Sequence, residues 1–216
     1  MHMRFSTITG AQSKVGAVLD FIEESLREQV EAIPGNEGLA TFAAADYGVT
    51  IALSYWTDGD AMELSEQPLA PLALQAAAVG AGALTQERYA VGAGYRRSTP
   101  TEGAVVEFSR FEFDPARVSQ MIELFSVDSL PSFKAAHGLC TAQLLLDHGA
   151  GVGMIASAWT NELAARAFWI PAGELRAAAA HQVPMTFTGS EFYRVRRCHW
   201  AENALRVGNT GYAMTG

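Results

Sequence analysis

A duplication constrains this chain more than any other feature. The stretch GLATFAAADYGVTIALSYWTDGDA, Gly38 to Ala61, has a second version in GLCTAQLLLDHGAGVGMIASAWTNELAA, Gly138 to Ala165. Gly38, Leu39 and Thr41 match Gly138, Leu139 and Thr141 at an offset of 138 − 38 = 100, whereas Trp56-Thr57 matches Trp159-Thr160 at 159 − 56 = 103. The difference predicts that the second copy carries extra residues in the turn 147–152. Phe5-Ser6 aligns with Phe108-Ser109 at 108 − 5 = 103, and Glu87-Arg88-Tyr89-Ala90-Val91 with Glu191-Phe192-Tyr193-Arg194-Val195 at 191 − 87 = 104. Offsets this steady imply two copies of a module of roughly 100 residues.

Each copy reads as strand, helix, strand, strand, helix, strand. In the first, Val15, Val18, Leu19, Ile22, Leu26, Val30 and Ile33 follow three- and four-residue steps, the stripe of an amphipathic helix that Pro34-Gly35 ends. In the second, Asp114-Pro115 starts a helix with an N-cap acid and a proline at its first position, and Val118, Met121, Ile122 and Phe125 form the buried stripe. Pro131 is expected to break or kink that helix, because it lacks an amide proton. Two apolar runs then flank a glycine-containing turn, 39–45 and 49–56 in one copy and 139–146 and 152–159 in the other, which is a β-hairpin pattern. An alanine-rich helix (61–83 and 162–181) and a last strand through Tyr89 or Tyr193 complete the ferredoxin-like βαββαβ plan. The fold class is α+β: two ferredoxin-like modules, 3–96 and 103–197, followed by a tail, 198–216.

Composition narrows the function classes. With 23 acidic against 15 basic residues, a formal charge of −8 at pH 7, the chain lacks the positive field that nucleic acid requires. The apolar stretch 69–84 contains Pro71, Gln75, Gly80 and Gly82 and is too short to span a bilayer. Met1-His2-Met3-Arg4 runs straight into a strand with no signal-peptide pattern, and His2-Met3 has the look of a cloning remnant, so a cytoplasmic protein with no membrane association is expected.

The residue types suited to metals are scattered. His2, His137, His148, His181 and His199 include no i, i+4 pair, and Cys140 and Cys198 form no metal or redox spacing. In a sheet of spatial order 4-1-3-2 these cysteines occupy opposite edges of their module, so both are expected as free thiols. The GAGVG run at Gly149 joins two strands rather than a strand to a helix, which excludes a dinucleotide loop. Arg96-Arg97 reads as a solvated strand end. On the last strand, alternation puts Arg194 and Arg196 on one face and Tyr193, Val195 and Arg197 on the other, leaving an arginine available for an anion.

A duplicated βαββαβ unit with a tryptophan closing the third strand of each copy, in YWTDGDA and AWTNELA, resembles the dimeric α/β-barrel superfamily and, within it, the antibiotic biosynthesis monooxygenase-like branch. The resemblance implies two sheets face to face in an eight-stranded barrel, with a pseudo-two-fold in place of a dimer axis, as a monomer with that internal symmetry or as a homodimer. It also implies a pocket between sheet and helices for a small aromatic or polyketide-like compound. The oxidation would be cofactor-independent, with no metal.

In the second copy Trp159, Phe168, Trp169, Phe187, Phe192 and Tyr193 are the candidate ligand-binding residues, with His181 and Arg197 as the candidate catalytic groups that stabilise a phenolate or enolate. The same aromatics are what an ordinary core contains, and His181 suits a helix C-cap. The first copy offers leucine, alanine and glycine there, with Tyr55, Trp56 and Tyr89, so the pocket is expected in the second module. Heme-degrading members resemble the chain less: none of Asn36, Asn161, Asn203 and Asn209 lies on a first strand. A binding protein without turnover, or a ligand-free structural pseudo-dimer, is the alternative.

Overall fold

The computed structural model describes residues 1–200. The first module comprises β1 (His2–Thr9), a helix built from α1 (Val15–Phe21) and α2 (Arg27–Glu31), β2 (Asn36–Ala44), β3 (Val49–Trp56), α3 (Gly59–Leu64), α4 (Glu66–Val79) and β4 (Ala83–Arg96). The second repeats it as β5 (Val105–Phe113), α5 (Val118–Leu124), α6 (Leu130–Ala135), β6 (Leu139–Asp147), β7 (Val152–Trp159), α7 (Glu162–Ala167), α8 (Trp169–Gln182) and β8 (Met185–Trp200). All pairings are antiparallel, and the strands close into a barrel in the order β1-β3-β2-β8-β5-β7-β6-β4. Each module keeps the expected 4-1-3-2 order, and closure removes its edges by pairing β2 with β8 and β4 with β6.

Alternation along the strands sorts the side chains into two cores. Met3 and Phe5 of β1, Leu53 and Tyr55 of β3, and Val106 and Phe108 of β5 point into the barrel, where the equivalent residues Phe5 and Phe108 meet edge to face at 5.3 Å. Arg4, Ser6 and Ile8, and likewise Glu107 and Ser109, point outward beneath the helices. Burial on both faces explains why β6, LCTAQLLLD, is almost continuously buried.

The register corrects the sequence alignment. Gly35 (φ +82°) and Gly138 (φ +78°) are equivalent, each accepting the amide of the threonine after the tryptophan, at an offset of 138 − 35 = 103. A β-bulge interrupts the second strand at Asn36/Gly38 and at Leu139/Thr141, again 103 apart. The GL-x-T match at 100 is therefore a three-residue slip. No extra residues sit in the second hairpin: β2 ends at Ala44 and β6 at Asp147, β3 starts at Val49 and β7 at Val152. The offset holds through α8 and becomes 104 only on the last strand.

Two further expectations change. Pro131 does not end its helix; it lies in the first turn of α6, directly after a π-helical turn, Phe125–Ser129, where a missing amide is tolerated. A π-turn also occupies Ile22–Leu26, the same place in the first module. Each alanine-rich helix is two helices, broken at Ser65 and at Phe168, and each starts on a side-chain cap, Asp58 accepting from the Ala61 amide and Asn161 from that of Ala164. β8 runs to Trp200, beyond the expected end of its module, and residues 201–216 of the expected tail lie outside the described residues. No helix among the described residues is long and apolar enough to cross a membrane.

Candidate functional site

Beneath the helices of each module lies a cleft, and the two are built from equivalent positions. The first, about 60 Å³, has Arg4, Ser6 and Ile8 of β1 and Ser54 of β3 on its floor, with Ile22, Leu26 and Val30 on one wall and Leu69, Leu72 and Ala76 over it. The second, about 30 Å³, has Glu107, Ser109 and Ser157 on its floor, with Ser129 and Phe133 on the wall and Phe168, Ala172, Leu175, Arg176 and Ala179 above. Ser54 and Ser157 each accept the indole N–H of the neighbouring tryptophan, Trp56 or Trp159, at 2.9 Å; both indoles are fully buried.

The difference in volume has a simple cause. In the second module Phe133, Phe168 and Trp159 pack as a cluster, with ring centroids 4.7 Å apart for Phe133 and Phe168 and 5.1 Å for Trp159 and Phe168. The first module has Val30 and Ser65 where the second has Phe133 and Phe168. Aromatic content narrows the second cleft; smaller side chains leave the first one roomier.

The charges differ as well. Arg4 is 2% exposed, donates to Ser65 Oγ at 2.9 Å and to the Met62 carbonyl, and lies 5.8 Å from the Trp56 ring. Its Nε is buried with no hydrogen-bond partner. Among the described residues no carboxylate forms a salt bridge with it, and Glu66 is engaged by Arg88 at 2.7 Å. Burial, then the neighbouring Arg88, pull this guanidinium below its usual pKa range, with Glu66 opposing. Position 107 of the second module holds a carboxylate instead, buried and accepting from Ser109 Oγ at 3.2 Å, and Arg176 faces the same cleft from α8, where the first module has Ala73.

The other residues singled out in the sequence are dispersed. Phe168 and Phe187 line the second cleft, and Trp159 is packed beneath it. Trp169 and Phe192 form a surface pair 5.7 Å apart, 43% and 38% exposed, with Arg166 over the indole. Tyr193 points into the barrel against Phe108. His181 is exposed in the last turn of α8, and lines neither cleft. Arg197 is exposed as well, 3.6 Å from Glu23. The expected sharing of a face by Tyr193, Val195 and Arg197 fails because β8 has a bulge: Val195 pairs with Phe42 but Arg197 with Thr41, which leaves Arg196 as the extra residue and turns Arg197 outward.

At one end of the barrel Arg110 closes a polar network, gripping both oxygens of Glu87 at 2.7 and 3.0 Å and reaching Glu191 at 3.3 Å. Tyr89 and Tyr193 donate to those carboxylates at 3.0 and 3.2 Å, and burial, reinforced by the carboxylates, raises both phenols far from neutrality. Cys140 and Cys198 both pack against the barrel interior as free thiols, and burial pushes the Cys198 thiol up to about 12. No metal-holding cluster occurs among the described residues.

Arg4 escaped the sequence reading because it belongs to no motif. Its signal was positional: a charged residue between Met3 and Phe5, on a strand whose two faces are both covered, with Glu107 opposite it at the 103 offset.

No family model matches the sequence. Uncharacterized protein Rv2558 of Mycobacterium tuberculosis is 25% identical over 150 residues, 69% of this chain and 64% of its own length; Rv2557 from the same strain is 24% identical over 151 residues, 70% of this chain and 67% of its own. The chain thus spans somewhat less than two thirds of Rv2558. Among solved structures, an anthrone oxidase-like protein superposes with a TM-score of 0.64 at 16% identity, covering 93% of this chain and 94% of that one. A monooxygenase-like protein from Listeria innocua gives 0.56 at 13% identity over 90% and 94%. A ferredoxin-fold protein related to antibiotic biosynthesis monooxygenases, from Listeria monocytogenes, gives 0.54 at 14% over 91% and 95%. The chain therefore has the dimeric α/β-barrel fold of antibiotic-biosynthesis-monooxygenase-like proteins, with the dimer rebuilt as two tandem modules of one polypeptide.

Proposed function

We propose that this chain is a monooxygenase-like protein that takes the apolar edge of a small aromatic or polyketide-like compound into the helix-roofed cleft of its first module. One observation carries the reading: of two equivalent clefts, the one with Arg4 on its floor is the roomier, at about 60 Å³ against 30 Å³. The reading puts the ligand in the module poorer in aromatics, the reverse of the sequence expectation, with the second module as its packed partner.

The chain would contribute desolvation by Ile22, Leu26 and Leu69 and a positive charge at Arg4. In a cofactor-independent oxidation a ring methylene of the compound, as its enolate, would react with dioxygen. The methylene gives up both hydrogens, one oxygen atom becomes a carbonyl and the other leaves as water. Oxygen uptake measured with a panel of anthrones, phenols and quinols tests the reading; compound-dependent uptake at one equivalent per carbonyl formed is expected, and none with any compound overturns the oxidation.

Binding without turnover is the second reading, and a specific observation favours it. The polar residues lining the first cleft are Arg4, Ser6, Ser54 and Gln86, none of which accepts a proton at neutral pH. An oxidation there requires a substrate acidic enough to arrive as its own anion.

A further inference from the structure

The outer faces of the two modules differ more sharply than their clefts. At equivalent positions the first module carries Asp60, Glu66, Gln67 and Arg88, and the second carries Leu163, Trp169, Ile170 and Phe192. A salt bridge between Glu66 and Arg88 at 2.7 Å thereby becomes the ring pair of Trp169 and Phe192. Among the described residues none covers Leu163 or Ile170, which are 80% and 77% exposed. The four side chains leave roughly 400 Å² of apolar surface in water, within the range of the largest patch that a monomer carries and often uses. Apolar groups facing water add nothing to the core of the chain that bears them. Their exchange for polar groups on one face only, over an unchanged backbone plan, marks a surface that meets another body.

We propose that the α7–α8 face is the interface of a two-fold dimer of this chain. Charge favours a second copy as the occupant. A formal charge of −8 sets two copies against each other over most of their surface. This face instead holds Glu162 between Arg166 and Arg194, at 2.6 and 3.0 Å, and position 166 is Glu63 in the first module. A face whose charges are already paired can meet its own kind. Shape points the same way. Leu163 stands at the edge of an open groove of about 650 Å³ lined by Ala135, Ala136, Ala164, Ala167 and Pro171, whereas the first module has Ile33 and Leu64 in place of Ala136 and Ala167. A projecting leucine beside a hollow suits an isologous contact, in which the projection of each copy enters the hollow of the other. Size agrees: the apolar patch is about half of the ~800 Å² that each partner of a standard interface buries, and the groove with the exposed Arg166 and Arg194 is of a size to supply the rest.

Sedimentation velocity of the full chain over a hundredfold range of concentration is expected to show two chains per particle at the top of the range and one at the bottom. Leu163→Asp combined with Ile170→Gln, which installs the residues of the first module, should weaken association at least hundredfold and, both positions being exposed, leave the far-UV spectrum unchanged. Leu64→Asp combined with Leu74→Gln, at the exposed leucines of the first module, should leave the dimer intact. Salt screens the repulsion between two chains of charge −8, so it should tighten the wild-type dimer. A wild-type chain that stays single throughout overturns the proposal and leaves the face to a different occupant, a foreign protein or residues 201–216. A dimer kept in the Leu163/Ile170 variant but lost in the Leu64/Leu74 variant also overturns it. Growth beyond two chains does so too, since that is the mark of a head-to-tail contact. The mass and the salt response are read on the wild type, so they stand whether or not the variants fold.

Discussion

The first module carries Arg4, Val30, Ser65 and Ala73 where the second carries Glu107, Phe133, Phe168 and Arg176. Backbone, bulge, caps and the tryptophan–serine bond are the same in both. The half that looks like a binding site in sequence, being richer in aromatics than its partner, is the half whose cleft those rings have narrowed. In the proposed site, room for a ligand would come from side-chain volume that is absent.

The largest expected effect probes what the modules share. Trp56→Ala and Trp159→Ala should each cost ~3–5 kcal/mol in urea denaturation, with Trp159 the costlier by ~1 kcal/mol because it also loses its ring contacts with Phe133 and Phe168. Equal losses would show that the aromatic cluster adds nothing beyond burial.

Glu23 tests a feature of the first module that the second lacks. It pairs with Arg27 at 2.7 Å and accepts from Thr41, whereas the equivalent Ser126 bonds its own helix at the Ile122 carbonyl. Burial alone would raise the Glu23 pKa, but the hydrogen bonds from Arg27 and Thr41 outweigh it and hold the carboxyl below the usual range. A folded pKa below the unfolded value means stability that is present above about pH 4.5 and lost as pH falls through the folded value. Glu23→Gln should therefore cost about 2 kcal/mol at pH 7, with the gap from the wild type narrowing in acid. A gap independent of pH would show the pairing to be immaterial.

Arg4→Met should stabilise the ligand-free chain by ~1 kcal/mol, since an apolar side chain of similar length removes a buried charge that no salt bridge pairs while Ser65 keeps its bond to the Met62 carbonyl at 2.6 Å. A loss of several kcal/mol in the same denaturation series would mean that Arg4 is structural. The smallest effect belongs to His181→Ala, expected at ~0.5 kcal/mol or less for an exposed residue in the last turn of α8, with ligand binding unchanged. A tenfold loss of binding would return the site to the second module.

The barrel was legible because its signals are periodic: alternation in the strands, a helical stripe from Val15 to Val30, and tryptophans 103 residues apart. The register of the second strands was not. Gly138 is needed for a left-handed turn and Gly38 sits at a bulge, so identical letters serve different backbone purposes three residues out of step. Arg197 was misplaced for a related reason, one bulge residue being enough to reverse a face. The Arg4 cleft lay beyond any motif because it depends on which side chains of α4 and the first helix come to lie over β1.

The paired π-turns at Ile22–Leu26 and Phe125–Ser129 also date the molecule's history. A π-turn is one residue too many in an α-helix, the trace of a single insertion. Two independent insertions at one spot are far less parsimonious than one inherited by both halves, so the insertion predates the doubling of the gene. The same reasoning applies to the twin bulges. Arg4 and Glu107 cannot both be ancestral, so one half at least changed the sign of its floor after the module was doubled. A doubled module starts with two like clefts, and a tandem chain is the arrangement in which one of them could take on a new charge without changing the other.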